Sequence, residues 1–168
     1  GLIPPDVSGD VGPNHYVQMV TTVFAIYNKS GALLAGPSAI NGLWAGFGGP
    51  CQNQNDGDPI VLFDSLADRW LLSQFTISSP PHQCVAISKT ANPVSGGYWL
   101  YDFTLTNFPD YPKFGVWPDA YYMGANFPPR AYAFERAQML SGAAARMVSV
   151  TSVVSVGYHS TLLPTDLD

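Results

Sequence analysis

The clearest fold signal in this chain is residues 57–75, GDPIVLFDSLADRWLLSQF. Residues 60–63 form a short apolar run, residues 64–68 are rich in turn formers, and residues 69–75 form a second apolar run. Bounded apolar runs of this length, rich in Ile, Val, Phe and Trp, are typical of strands rather than helices. Pro59 stands where the first run begins, a strand position that tolerates proline. The stretch therefore predicts a β-hairpin.

Further strands are predicted on both sides of this hairpin. Residues 83–89 and 97–105 follow it closely, so that residues 60–105 predict one four-stranded meander. Residues 1–15 have the Pro and Gly content of an extended, turn-rich lead-in. The remaining β-prone segments are residues 16–27 (two short strands or one bent strand), 32–40, 120–123, 131–135 and 146–158.

Helix is predicted in one place only. Residues 136–145, RAQMLSGAAA, contain good helix formers, and Ser141-Gly142 limits the helix to two or three turns.

Composition predicts a single globular domain over residues 1–168. Hydrophobic residues make up 46% of the chain, whereas charged residues make up 11%, well below the ~25% of a typical soluble domain. Lys and Arg number 7 against 12 acids, for a net charge of −5, so neither nucleic acid nor an anionic membrane surface is an expected partner. No apolar run reaches the length of a membrane span. The chain opens directly on GLIPP, so we expect any export signal or pro-segment either to have been removed or never to have been part of this sequence.

Cys51 and Cys84 are the two cysteines, and they lie in loops on either side of the hairpin. A disulfide between them would indicate an oxidising compartment, and therefore a secreted, extracellular or periplasmic protein. The alternatives are two buried free thiols or, with His82 as the nearest histidine, a zinc site.

A degenerate motif suggests an internal repeat. Residues 9–11 (GDV), 57–59 (GDP) and 117–119 (WPD) each precede a predicted strand, at intervals of 48 and 61 residues. Units of forty to fifty residues with four strands each are typical of β-propeller blades. The predicted fold is therefore all-β, a partial propeller of about three four-stranded antiparallel blades. The alternative is a β-sandwich with coincidental Asp-Gly turns.

Four motifs carry a resemblance to a known family: GDVGPNHYVQMV, GDPIVLFDSLADRWLLSQF, CVAISKTANPVSGGYWLYDF and YPKFGVWPDAYYMG. Together they resemble secreted bacterial proteins with a propeller-like domain similar in layout to BNR and sialidase-type folds. The resemblance implies export, and it implies that the segment at residues 162–168 leads into further blades. It implies no catalytic residue.

Three blades are fewer than a closed propeller needs. We therefore expect the propeller to be completed by a second chain or by copies of this one, which would cover apolar faces and strand edges that are otherwise left open.

Asp10, Asp58 and Asp119 are the candidate metal ligands. If the innermost strand of each blade lines a central channel, their carboxylates would converge there on a hard cation, most plausibly Ca²⁺. The alternative is that each Asp accepts backbone N–H bonds in a turn. The loop at residues 53–58 is a weaker calcium candidate, because it lacks the EF-hand pattern.

Among the other candidates, His15 could act as a base or a ligand near the channel mouth, with a satisfied structural histidine as the alternative. His82 and His159 are predicted to be loop residues. Trp44, between glycines in GLWAGFGG, is the aromatic residue least explained by core packing, and it is the candidate platform for sugar stacking.

Two functional hypotheses follow. The first is a secreted or cell-surface propeller that acts as a glycan- or protein-binding or structural module. The second is an extracellular carbohydrate-active hydrolase or lyase with carboxylates at the central channel. The first is favoured, because no set of catalytic residues can be read from this sequence.

Overall fold

The computed structural model describes residues 4–126 and 130–151, together with Leu163, Pro164 and Asp166. In this part of the chain twelve strands form three four-stranded antiparallel sheets, and each sheet takes its strands in chain order. The first sheet contains β1 (Val7–Val11), β2 (His15–Val20), β3 (Val23–Asn28) and β4 (Leu33–Ala39). The second contains β5 (Ile60–Asp64), β6 (Arg69–Thr76), β7 (His82–Ser88) and β8 (Tyr98–Thr104). The third contains β9 (Asp110–Val116), β10 (Tyr121–Asn126), β11 (Arg130–Phe134) and β12 (Met147–Thr151).

The all-β prediction is confirmed, and so is the meander built on the hairpin, which is the second sheet. Among the described residues, helix is confined to two short α-helices, α1 (Gly49–Asn53) and α2 (Arg136–Ser141), and a 3₁₀ turn at Ile40–Trp44. Gly142, in the left-handed conformation at φ 74°, ends α2 where the sequence predicted.

Two of the three sheets begin with a strand that the sequence did not predict. β1 falls inside the predicted turn-rich lead-in, and β9 was not predicted at all. Pro112 lies within β9, which is tolerated because β9 is an edge strand of its sheet. This placement also corrects the predicted repeat, because Asp119 precedes the second strand of its sheet whereas Asp58 precedes a first strand.

The second sheet is buried on both faces. Trp70 and Leu72 of β6 pack into a core shared with the first sheet, whereas Leu71, between them, packs into a core shared with the third. Alternate residues of a strand point to opposite faces, so a sheet covered on both sides needs apolar residues at consecutive positions, as residues 70–72 have.

The sheets meet along their first strands, β1, β5 and β9. Ser8 Oγ accepts a hydrogen bond from Val61 N at 3.1 Å, and Asp10 Oδ2 accepts one from Phe63 N at 2.6 Å. Stacked sheets with their first strands together fit the predicted partial propeller. The same three sheets are also consistent with the alternative, a β-sandwich. The hydrogen bonds between the first strands favour the propeller.

The predicted disulfide is present. Cys51 of α1 and Cys84 of β7 are bonded with a Cα–Cα distance of 5.7 Å, and both are fully buried in the core between the first and second sheets. The bond therefore fastens the long loop before β5 to the middle of the molecule. Within the described part of the chain, no helix has the length and hydrophobicity of a membrane span.

Candidate ligand-binding cleft at the start of the first strands

The three first strands begin in the same unusual conformation. Asp6, Asp58 and Tyr111 have positive φ angles of 32°, 43° and 51°, and they stand 52 and 53 residues apart. Positive φ is uncommon outside glycine, and residues held in such strained conformations cluster at functional sites. The starts of the three strands are therefore a candidate functional site.

These starts enclose a cleft of about 220 Å³, called here the first-strand cleft. Asp58 Oδ2 accepts a hydrogen bond from Tyr111 N at 3.1 Å, which ties the second sheet to the third. Lys113 Nζ lies 3.7 Å from the centre of the Tyr111 ring, a cation–π contact. The cleft is lined by Asp6, Val7, Asp58, Pro59, Tyr111 and Lys113.

Asp58 is the electrostatic centre of this cleft. Burial, together with the negative charges of Asp6 and Asp110, raises its pKa to about 6, against the opposing effects of the Tyr111 N–H and of Lys113. Burial also lowers the pKa of Lys113, while Asp58 and Asp6 oppose that shift. A carboxyl with a pKa near 6 exchanges its proton in the range in which enzymes use general acids and bases. It can also donate a hydrogen bond when protonated and accept one when ionised.

The structure does not bring the predicted metal ligands together. Asp58 lies at the start of β5, whereas Asp10 lies near the end of β1 and Asp119 lies in the turn after β9. Strands of this length separate the two ends by roughly 15–20 Å. Within the described residues, no three His, Cys, Asp or Glu side chains are grouped so that they could hold a metal ion.

Asp10 and Asp58 instead accept backbone N–H groups, as the alternative interpretation proposed, although the donors belong to the neighbouring sheet. Asp119 Oδ2 accepts from the Tyr122 hydroxyl at 2.8 Å.

Two predicted binding residues lie away from the cleft. Trp44 is fully buried in the core between the first and second sheets, so its ring is not a surface platform for a sugar. The loop that carries it folds inward around the disulfide, which glycine spacing alone could not reveal. His15 is the first residue of β2 and pairs with Asn28 of β3, at the other end of the first sheet from Asp6.

His82 is not a loop residue, as the sequence suggested, but the first residue of β7. Its Nδ1 bonds to Asp102 Oδ1 of β8, and both side chains are mostly buried. The pair joins two neighbouring strands of the second sheet. His159 lies outside the described residues.

Sequence reasoning missed Asp6, Asp110 and Lys113. A signal was present in the chain, since an Asp adjoins a Pro at the entry to each first strand: Pro5-Asp6, Asp58-Pro59 and Pro109-Asp110. Proline fits the start of an edge strand, and Asp tolerates left-handed backbone. The same pair also stands before β10, at Pro118-Asp119, so it marks strand entries without singling out the first strands.

Comparison of this chain with protein-family models, curated proteins and solved structures finds no match.

Proposed function

We propose that this protein is a secreted or cell-surface β-propeller module that binds a glycan at the first-strand cleft. The observation that carries the proposal is Asp58, a half-buried carboxyl with a raised pKa in a cleft that all three sheets build. Three sheets of one kind, joined by bonds that each span 53 residues, support the repeat architecture and the resemblance to propeller-containing secreted proteins. The disulfide supports export, because such bonds persist in oxidising compartments.

A sugar fits the chemistry of the cleft. The carboxyls of Asp6 and Asp58 can accept hydrogen bonds from sugar hydroxyls, and the ammonium group of Lys113 can donate one. Tyr111 is 49% exposed and offers apolar ring surface beside these polar groups. A mainly polar cleft of about 220 Å³ has the size of one monosaccharide unit rather than of a larger cofactor.

The test is binding of a panel of neutral and acidic oligosaccharides, measured by isothermal titration calorimetry. We expect Asp58→Asn to weaken the binding of the best ligand at least tenfold, because the amide cannot present two acceptor oxygens. Asp119→Asn is the matched control, since Asp119 lies at the far end of the first strands, and its affinity should equal that of the wild type. Equal loss in both variants, or no glycan bound by the wild type, would contradict the proposal.

The second candidate function is an extracellular carbohydrate-active hydrolase or lyase. The raised pKa of Asp58 favours it specifically, because a general acid must hold its proton near the working pH. The discriminating measurement is release of reducing ends from the bound glycan. Turnover that rises and falls around pH 6, and is abolished in Asp58→Asn, would favour the enzyme over the binding module.

Calcium remains a prediction. A rise of the thermal midpoint on adding Ca²⁺, reversed by a chelator, would support it, and loss of that rise in Asp58→Asn would place the ion in the first-strand cleft. Retention of the rise in that variant would place the ion elsewhere.

A further inference from the structure

In the part of the chain that the structure describes, the third sheet has one exposed apolar face. Val148 and Val150 of β12 are 62% and 63% exposed, and they lie opposite Ala133 and Ala131 of β11. The face continues onto β10 through Tyr122, which pairs with Ala133. Exposed apolar residues that are contiguous across three strands are unusual for a surface that faces water only.

The first sheet has an uncovered face at the opposite end of the stack. Val7 and Val11 of β1 are 65% and 54% exposed, and they flank Gly9, across which the Tyr16 ring lies. Alternation along β1 places Ser8 and Asp10 on the other face, where they bond to β5. The described stack therefore has two open ends, and both are apolar.

The covered faces show what these open faces can bind. The second sheet covers the first, and the third covers the second, through two apolar cores of the same layered kind. The open face of the third sheet corresponds to faces that are covered elsewhere by the next sheet. A next sheet would pack one of its faces against the open face of the third sheet. Among the described sheets, only the first has the equivalent face uncovered.

The first strand of the third sheet also bonds to a residue that follows β12. Asp166 Oδ1 accepts a hydrogen bond from Val116 N at 2.7 Å, whereas at the internal boundaries the acceptor belongs to the earlier sheet, as Asp10 does where it accepts from Phe63 N. Leu163 and Pro164 lie beside Asp166, and they line a cavity of about 450 Å³ on the open face with Trp117 and Tyr122. An acceptor for an N–H group of β9 is thus in place, whereas among the described residues only Leu163 and Pro164 adjoin the apolar face.

We propose that the open face of the third sheet binds the open face of the first sheet of a second copy of this chain. The three described sheets of each copy, joined head to tail with those of the other, form a closed ring of six sheets, within the four to eight blades that propellers use. The proposal rests on the propeller architecture of the proposed function. It extends the internal interfaces rather than requiring a new kind of contact.

The test is native mass spectrometry and light scattering of the purified chain at micromolar concentration. A dimer is expected. Both Val150→Glu and Val11→Glu should give monomers, because every interface of the ring pairs the face that carries Val150 in one copy with the face that carries Val11 in the other. Ile77→Glu is the control: Ile77 is 66% exposed but follows β6 of the second sheet, away from both faces, so the dimer should persist. Tryptophan fluorescence should show that every variant stays folded.

Mixing Val150→Glu with Val11→Glu sharpens the result. One interface of the mixed pair is unmodified, so the mixture should form heterodimers at higher concentration than the wild-type dimer needs. A wild-type monomer, an open series of larger oligomers, or dimers of either glutamate variant alone would overturn the proposal. Asp58→Asn should dimerise normally while losing glycan binding. The two measurements therefore distinguish failure of the dimer proposal from failure of the glycan-binding proposal.

Discussion

Replacing Asp64 with Ala should destabilise the protein more than any surface change. Asp64 is fully buried at the end of β5, and its carboxylate accepts hydrogen bonds from Arg136 Nε at 2.7 Å, Arg136 Nη2 at 2.9 Å and the Tyr121 hydroxyl at 2.8 Å. It also accepts the backbone N–H groups of Leu66 and Ala67, both at 3.1 Å. One side chain thus joins the second sheet to the third and holds its own turn.

The expected loss of unfolding free energy follows from the buried charge of Arg136, which stays in place when Asp64 is removed. Without Asp64, the guanidinium of Arg136, whose side chain is only 10% exposed, keeps one hydrogen bond, to Pro118 O at 3.2 Å. Breaking a buried ion pair by removing one partner costs about 3–5 kcal/mol, because the other charge stays buried and uncompensated. That is a large share of the ~5–15 kcal/mol that stabilises a typical domain.

The assay is urea unfolding followed by tryptophan fluorescence, with the free energy obtained by linear extrapolation. Asp64→Ala should lower the free energy of unfolding by about 3–5 kcal/mol, whereas the double variant with Arg136→Met should recover part of the loss. Glu135→Gln is the control, since Glu135 pairs with Arg146 at the exposed base of α2 and its loss should leave the midpoint almost unchanged. An Asp64→Ala midpoint equal to that of the control would refute the reasoning.

Two further changes test the packing around the second sheet. Replacing both Cys51 and Cys84 with Ala should lower the free energy of unfolding by about 3–4 kcal/mol, the loop entropy expected for a sequence separation of 33; an unchanged urea midpoint would contradict this. Gly142→Ala should lower the thermal midpoint, because left-handed backbone alone costs an L-residue about 1–2 kcal/mol and the new Cβ would stand 2.5 Å from the Trp99 ring. Gly31→Ala is its control, with φ 84° but no atom within 4 Å of the new Cβ, and it should cost less.

Strands that pack on both faces were the most predictable part of the fold. β5 and β6 follow from residues 57–75, since burial on two sides demands a continuous apolar run. β9 was missed because Pro109 and Pro112 interrupt its pattern, and β1 because Ser8, Gly9 and Asp10 separate its two valines. An edge strand with one solvent-exposed face contains fewer apolar residues, so its sequence pattern predicts a strand less clearly.

The candidate site was predictable only in part. Asp58 was found because it stands beside the strongest strand signal, whereas Asp6 and Asp110 each lie about 52 residues away and share no local pattern with it beyond an adjacent proline. Trp44 was misplaced because a loop between glycines reads as exposed. The disulfide that folds this loop into the core acts across 33 positions, a distance over which periodicity carries no information.

The raised pKa of Asp58 has a definite consequence for stability. Its pKa of about 6 in the folded protein exceeds the ordinary 3.8, so the folded state favours the protonated form. The stabilisation is complete below pH 3.8 and is lost as the pH rises through 6. Asp58 is partly exposed, so solvent screening limits this contribution to about 1 kcal/mol. Asp58→Asn should remove it, so the difference in unfolding free energy between wild type and variant should change between pH 4.5 and 7.5.

Titration of the Asp58 carboxyl by NMR tests most directly whether the first-strand cleft is an electrostatic centre. The carboxyl carbon shift should give a pKa of about 6, and Asp6→Asn should lower that value because one neighbouring negative charge is removed. Asp119, exposed at the far end of the strands, provides an internal comparison in the same spectra. A pKa for Asp58 near 4, unchanged in Asp6→Asn, would contradict the account and remove the basis for placing the function in this cleft.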